Sequence, residues 1–239
     1  YRVYFAIGFV LFVMVMNLRG VKESGAAFAI PTYFFIVMMF ITVGLGLFRL
    51  ITGTLGTVPN PPELETLHGL AAITPFLILH AFASGTTALT GVEAISNGIT
   101  AFKEPRSKNA GITLIWMSLI LGSLFLGISF LTRQIEAVPS ESVTVISQLA
   151  ETVYRGRGIL YLALIGGTTV ILVMAANTAF ADFPRLSALA AQDGFLPRQL
   201  TYRGSRLVFS RGIVALAVIA SLLIVIFQAS VTRLIPLYA

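Results

Sequence analysis

Between His80 and Glu93 the chain sets hydroxyls, glycines and a carboxylate into an otherwise apolar stretch. Ser84, Thr86, Thr87 and Thr90 supply neutral oxygens, and Gly85 and Gly91 interrupt the side-chain packing of a membrane helix. With Pro75 upstream, the pattern predicts a discontinuous helix, broken over about 83–91. Broken backbone at membrane depth survives only where it lines a cavity or is covered by protein, and its freed carbonyls and amides can coordinate an ion or substrate. The simpler alternative is that the glycines only let helices pack closely. Glu93 adds a charge. A carboxylate within a membrane is costly unless it is paired, protonated or bound to a cation, so it marks a transport or proton path by default. Thr90 and Glu93 share one face if that half is helical, which brings hydroxyl and carboxylate oxygens together for a hard cation or a proton relay. The alternative for Glu93 is an ion pair that only fixes packing.

Other polar residues are less specific. His80 reads as a packed, neutral histidine rather than a titrating one. Thr168 and Thr169, beside Gly166 and Gly167, fall near mid-span and are candidates to line a vestibule or to serve close helix packing. Asn177 and Thr178 lie nearer a span end, where they either line an inner vestibule or bond across helices. Arg49 closes its span and is expected to snorkel. Cysteine is absent, and the two histidines form no metal-ligand or phosphate-loop pattern. The expectation is a non-enzyme with no cofactor and no metal beyond a transported cation.

The elements that must position these groups follow from composition. Hydrophobic residues make up 56% of the 239 and charged residues 11%, against roughly 25% charged in an ordinary soluble domain. That excludes a soluble fold. The formal charge of +6 suggests no nucleic-acid partner, because the bases sit between apolar runs rather than on one face. Uncharged runs cover 26–48, 66–92, 111–132, 158–181 and 212–232, with a shorter one at 4–16. About 20 residues cross a hydrocarbon core roughly 30 Å thick. The expected spans are about 3–17, 26–49, 70–102 with its break, 111–132, 158–181 and 211–229, and 234–239 opens another. Together they make a single transmembrane domain over 1–239, all-α and polytopic.

Basic residues set the expected orientation. The segments 17–25, 101–110 and 182–211 hold ten of the sixteen: Arg19, Lys22, Lys103, Arg106, Lys108, Arg185, Arg198, Arg203, Arg206 and Arg211. The segment 52–65 holds none, and 133–157 has three bases against three acids. The positive-inside rule therefore places loops 17–25, 101–110 and 182–210 in the cytoplasm of a multi-pass cell-membrane protein. In the 133–157 segment, Ser142, Ile146, Leu149 and Val153 recur at helical steps beside Gln148, Glu151 and Arg155. They predict a short amphipathic helix, with a solvated hairpin as the alternative.

Three stretches carry a resemblance. Gly85-Thr-Thr-Ala-Leu-Thr-Gly-Val-Glu93, continuing through Ser96 to Ala110, is similar to the sixth transmembrane helix and following loop of the amino acid/polyamine/organocation superfamily. Asn177 to Leu186 with Ala191 to Arg198 resembles the end of its eighth helix and the loop beyond, and Asn17 to Gly25 resembles its helix four–five loop. The wording is nearest the branch containing KimA-type potassium/proton symporters. The resemblance implies a LeuT-like fold of two inverted five-helix repeats, of which this chain covers about helices four to nine. It also implies an ion or substrate site at Ser84, Gly85, Thr86, Thr87, Thr90 and Glu93, with Thr90 and Glu93 at the potassium and proton positions. The function it implies is secondary transport: proton-coupled uptake of a small cation such as potassium, in contact with membrane lipid and with room for a homodimer. Alternatives are an amino acid permease and, further off, a channel or a non-transporting membrane protein.

Overall fold

The structure is a computed structural model that describes residues 1–19, 25–59, 61, 74–85, 102–140, 143–202 and 209–238. The regular structure among those residues is all helical, with no sheet among them: α1 (Arg2–Leu18), α2 (Gly25–Ile51), α3 (Pro75–Gly85), α4 (Arg106–Gln134), α5 (Val145–Tyr154), α6 (Ile159–Gln192), a 3-10 turn (Arg198–Thr201), α7 (Ser210–Ile226) and α8 (Val231–Tyr238). Among the described residues, three helices are long and apolar enough to cross a membrane: Ala29–Ile51 within α2, α4 and α6. Two shorter apolar helices, α1 and α7, have 17 residues each. The protein is therefore an all-α, polytopic membrane protein, and its large exposed side chains are those that lipid accepts. Phe5, Phe34, Trp116, Leu126, Leu172 and Leu222 are each more than a third exposed.

The chain divides into two compact units. The first joins Tyr1–Ile36 to Ile165–Arg233. Here α1 packs along α7, around a core of Val13, Phe180, Ile213 and Ala217 with Val10, Met14, Leu18 and Leu216 against it. The segment after position 181, expected as loop, is helical for eleven more residues, because α6 runs on to Gln192. Pro184 lies inside it, and its missing N–H deprives the Phe180 carbonyl of its usual partner. The continuation is held by burial. Pro184, Ser187, Ala188 and Ala191 form a buried small-residue face. A Cβ on Gly212 of α7 would fall 2.9 Å from the Pro184 Cα, so the two backbones meet at a position that only glycine fits. Beyond Gln192, Gly194 turns the chain at φ +85°, in the left-handed region that glycine adopts without steric cost.

The second unit comprises Val37–Leu164 and Leu234–Ala239. Gly46 of α2 faces Leu131 and Val153, and Gly127 of α4 faces Val43. Met39, Leu131, Ile135, Leu149, Val153 and Leu164 are the large apolar side chains most fully buried in it. The expected short helix is α5. The Thr144 hydroxyl caps it by accepting from the Ser147 N–H at 3.2 Å, and Arg155 closes it at φ 57° while the Gly156 N–H donates to the Glu151 carbonyl at 2.9 Å. Its polar side is only partly solvated: Glu151 is half-buried and Arg155 exposed, but the rest of that side is enclosed. Ser147, Gln148 and Thr152 are buried with Leu149 and Val153.

Gln148 explains how that burial is tolerated. Its Oε1 accepts from the Val138 N–H at 3.0 Å. Its Nε2 donates to the Val138 and Val143 carbonyls at 2.7 and 3.2 Å. A side-chain amide thus replaces a missing backbone partner for the irregular strand between α4 and α5. Nearby, Thr42 meets the Tyr154 hydroxyl at 2.7 Å, Ser147 meets the Tyr161 hydroxyl at 2.7 Å, and the Val58 N–H donates to the Ile135 carbonyl at 3.1 Å. Arg157 pairs with Glu151 at 3.2 Å. Arg49 is half-buried, and its Nη1 has no hydrogen-bond partner among the described residues.

Two substitutions test these contacts. Gln148→Leu leaves the N–H and C=O of half-buried Val138 without their side-chain partner, so unfolding of the full-length protein in detergent should lose about 1–3 kcal/mol, the lower part of the range for two orphaned groups. Gly212→Ala should lower the midpoint more than Gly46→Ala. The added methyl meets backbone at Gly212 but only the mobile end of Leu131 at Gly46.

Candidate functional site

Thr74 opens the helix that leads into the hydroxyl-rich stretch. Its hydroxyl accepts from the Leu77 N–H at 3.2 Å, and Pro75 takes the first helical position, where its absent N–H costs nothing. His80 lies exposed on α3 and stacks on Phe76, ring centroids 6.3 Å apart and planes 12° apart. It is not the enclosed histidine expected from its apolar flanks. Gly85 is exposed and would have open space around a Cβ. Ser84 belongs to the same helix. Thr86, Thr87, Thr90, Gly91 and Glu93 lie outside the described residues, as does most of the 83–91 break.

The chain is described again on the approach to α4. Glu104 pairs with Arg106 at 3.1 Å, and its other oxygen accepts from the Arg106 N–H at 3.4 Å. Asn109 donates to the Lys103 carbonyl at 2.8 Å. Arg106 and Lys108 put positive charge in the first turn of α4, which its macrodipole disfavours. Glu104 offsets part of that, and the exposed pair contributes little more.

The vestibule candidates all sit on α6, in the first unit. Thr169 is exposed and donates to the carbonyl of Ile165 in its own helix at 2.9 Å. Thr168 is half-buried, beside Gly167, whose missing Cβ makes room for the Phe34 ring. Thr178 likewise bonds back, to Ala175 at 2.7 Å. Asn177 does bond across helices. Its Oδ1 accepts from the Asn17 amide of α1 at 2.6 Å, while Asn17 also donates to the Val13 carbonyl at 2.9 Å.

Sequence reasoning missed Asn17 as a partner, although a carboxamide ending an apolar run was the available signal. It also missed Thr42, fully buried in mid-helix and bonded to Met38 and Tyr154. Among the described residues no group of three or more His, Cys, Asp or Glu side chains is placed to hold a metal ion.

Long apolar helices joined by polar cross-helix bonds define a polytopic membrane protein. The family model described as amino acid permease matches residues 1–239, and the chain belongs to that family, within the amino acid/polyamine/organocation superfamily. It is 45% identical over all 239 of its residues to the potassium transporter KimA of Bacillus subtilis (strain 168). The match covers 39% of that relative, so the chain spans about two fifths of its length.

The asparagine pair yields a direct test. Asn17→Leu and Asn177→Leu should each destabilise the full-length protein by about 0.5–2 kcal/mol, and the double variant should cost less than their sum. A double-mutant cycle should give a coupling of about 0.5–1.5 kcal/mol. Full additivity would remove this bond from the forces joining α1 to α6.

Proposed function

We propose that this chain is the central part of a secondary active transporter that takes up a small cation, potassium first, together with a proton. The observation that carries the reading is similarity, along the whole of this chain, to part of a protein named as a potassium transporter. To it the sequence adds Glu93, a carboxylate three residues after Thr90 in an uncharged run. In this reading the fold is a LeuT-like pair of inverted five-helix repeats, of which the chain supplies about helices four to nine. Its spans are 3–17, 26–49, 70–102, 111–132, 158–181 and 211–229, and its segments 17–25, 101–110 and 182–210, the last beginning with the end of α6, face the cytoplasm. A homodimer is compatible with this arrangement.

The chemistry follows from one side chain serving two ligands. Burial raises a carboxylate's pKa and a nearby cation lowers it. Cation and proton therefore both act through the charge of Glu93, and binding of one changes the affinity for the other, a reciprocal coupling between the two ligands. Thr90 supplies an oxygen without adding charge, and Ser84, Gly85, Thr86 and Thr87 supply hydroxyls and backbone carbonyls at the break. Gly85 and Gly91 give the break its freedom. No resident cofactor is needed.

The family description itself favours a second reading, an amino acid permease. Helix termini at the break would then receive the substrate's carboxylate and ammonium groups.

One experiment separates the two. With full-length protein in proteoliposomes, potassium should drive proton flux, and Glu93→Gln should reduce that flux at least about tenfold, since the neutral amide cannot exchange a proton. Thr90→Val should weaken potassium dependence while leaving proton release intact. Flux driven by amino acids with no potassium response would replace the cation reading by the amino acid one.

A further inference from the structure

At the far end of α6 three elements bring cations together. Gly212 meets Pro184 backbone to backbone, so Arg211 and Arg185, each adjacent in sequence, flank one helix crossing. The 3-10 turn Arg198–Thr201 packs against α7, and Tyr202, immediately after it, lies under the Arg211 guanidinium, 5.0 Å from ring centroid to Cζ. Arg185, Arg198 and Arg211 are all exposed. The acids nearest in sequence are Asp182 and Asp193, also exposed. Among the described residues neither forms an ion pair with the three arginines.

Apolar side chains stand among these cations. Phe195 is 83% exposed and Leu186, Leu189 and Tyr202 are more than half exposed. A solvated cytoplasmic loop has no use for such residues, whereas an interfacial surface needs both kinds. Depth agrees. At 1.5 Å per residue, the 34 residues of α6 extend about 51 Å, well beyond a hydrocarbon core of roughly 30 Å. Measured from Ile159, the stretch beyond Asp182 therefore falls at headgroup level. There Arg211, held over the Tyr202 ring, presents a guanidinium suited to phosphate oxygens.

We infer that Arg185, Arg198 and Arg211, with Phe195 and Tyr202 as apolar anchors, form a binding surface for the headgroups of anionic phospholipids. The guanidinium groups neutralise lipid phosphates while Phe195, Leu186 and Leu189 enter the acyl boundary. Retention of such lipids ties the α6–α7 crossing to the membrane surface. The inference rests on the proposed orientation of this end toward the cytoplasm, but lipid binding is read out without reference to any transported solute.

The test uses full-length protein in detergent, titrated with phosphatidylglycerol or phosphatidylcholine. Bound lipid is counted by native mass spectrometry, and the thermal midpoint is followed in parallel. Phosphatidylglycerol should be preferred, and the preference should shrink as salt screens it over a Debye length of about 8 Å at 0.15 M. The triple variant Arg185→Gln, Arg198→Gln, Arg211→Gln should weaken that preference roughly 10- to 100-fold, the loss expected for three surface charges. The corresponding triple lysine variant should keep most of it, and Arg2→Gln with Arg133→Gln should leave it intact. An unchanged preference in the glutamine variant overturns the proposal. So does equal loss in the lysine variant, which would trace the effect to folding rather than charge. Complete displacement by millimolar inorganic phosphate also overturns it, since that would mark a soluble-anion site.

Discussion

Lipid offers a peptide group nothing to bond to, so every N–H and C=O at membrane depth must find its partner inside the protein. Helices meet that demand segment by segment, which is why α2, α4 and α6 can be long, apolar and largely exposed to their surroundings at once. The same demand governs each departure from regular helix. Pro184 removes one bond from α6, and the helix persists because its small-residue face is buried. Between α4 and α5 the backbone is irregular, and there the Gln148 side chain supplies both a donor and an acceptor to Val138.

Polar side chains within the helices follow the same logic. Thr169, Thr178 and Thr132 return their hydroxyls to their own helices. This is the inexpensive way to carry a hydroxyl through apolar surroundings. Asn17 and Thr42 go further and reach across, to Asn177 and Tyr154. Those bonds bring no large energy in lipid, about 0.6 kcal/mol on average, but their geometry admits one register of the helices. Glycine works on the same scale. Gly46, Gly127 and Gly212 each stand where a methyl group would meet a neighbour, and they set how closely the backbones approach.

A division of labour follows. Within each unit, close packing with few cross-helix hydrogen bonds gives firm positions to the residues around it. The hydroxyl-rich stretch after Gly85 carries glycine, threonine and glutamate instead, types that the proposed reading uses for coordination. In that reading an ion site is held in place by elements that do not themselves change partners.

Much of the fold was legible in the sequence because hydropathy is a local property. An uncharged run of membrane length declares a helix wherever it packs, and the family's motif around Glu93 is a string of adjacent residues. The same locality made Ser84–Glu93 readable as a candidate site. Contacts between distant residues are of another kind. Nothing in the string shows that Asn17 donates to Asn177, 160 positions away, or that Gln148 turns inward rather than toward solvent. The extension of α6 past Asp182 was equally hidden, since proline and charge read locally as a helix end, whereas the buried face against Gly212 overrides them. The sequence by itself determined the apolar helices, through the cost of transferring side chains and backbone into lipid. Only the tertiary structure decided which polar groups meet, because a hydrogen bond depends on a distance set by the packing of residues far apart in the chain.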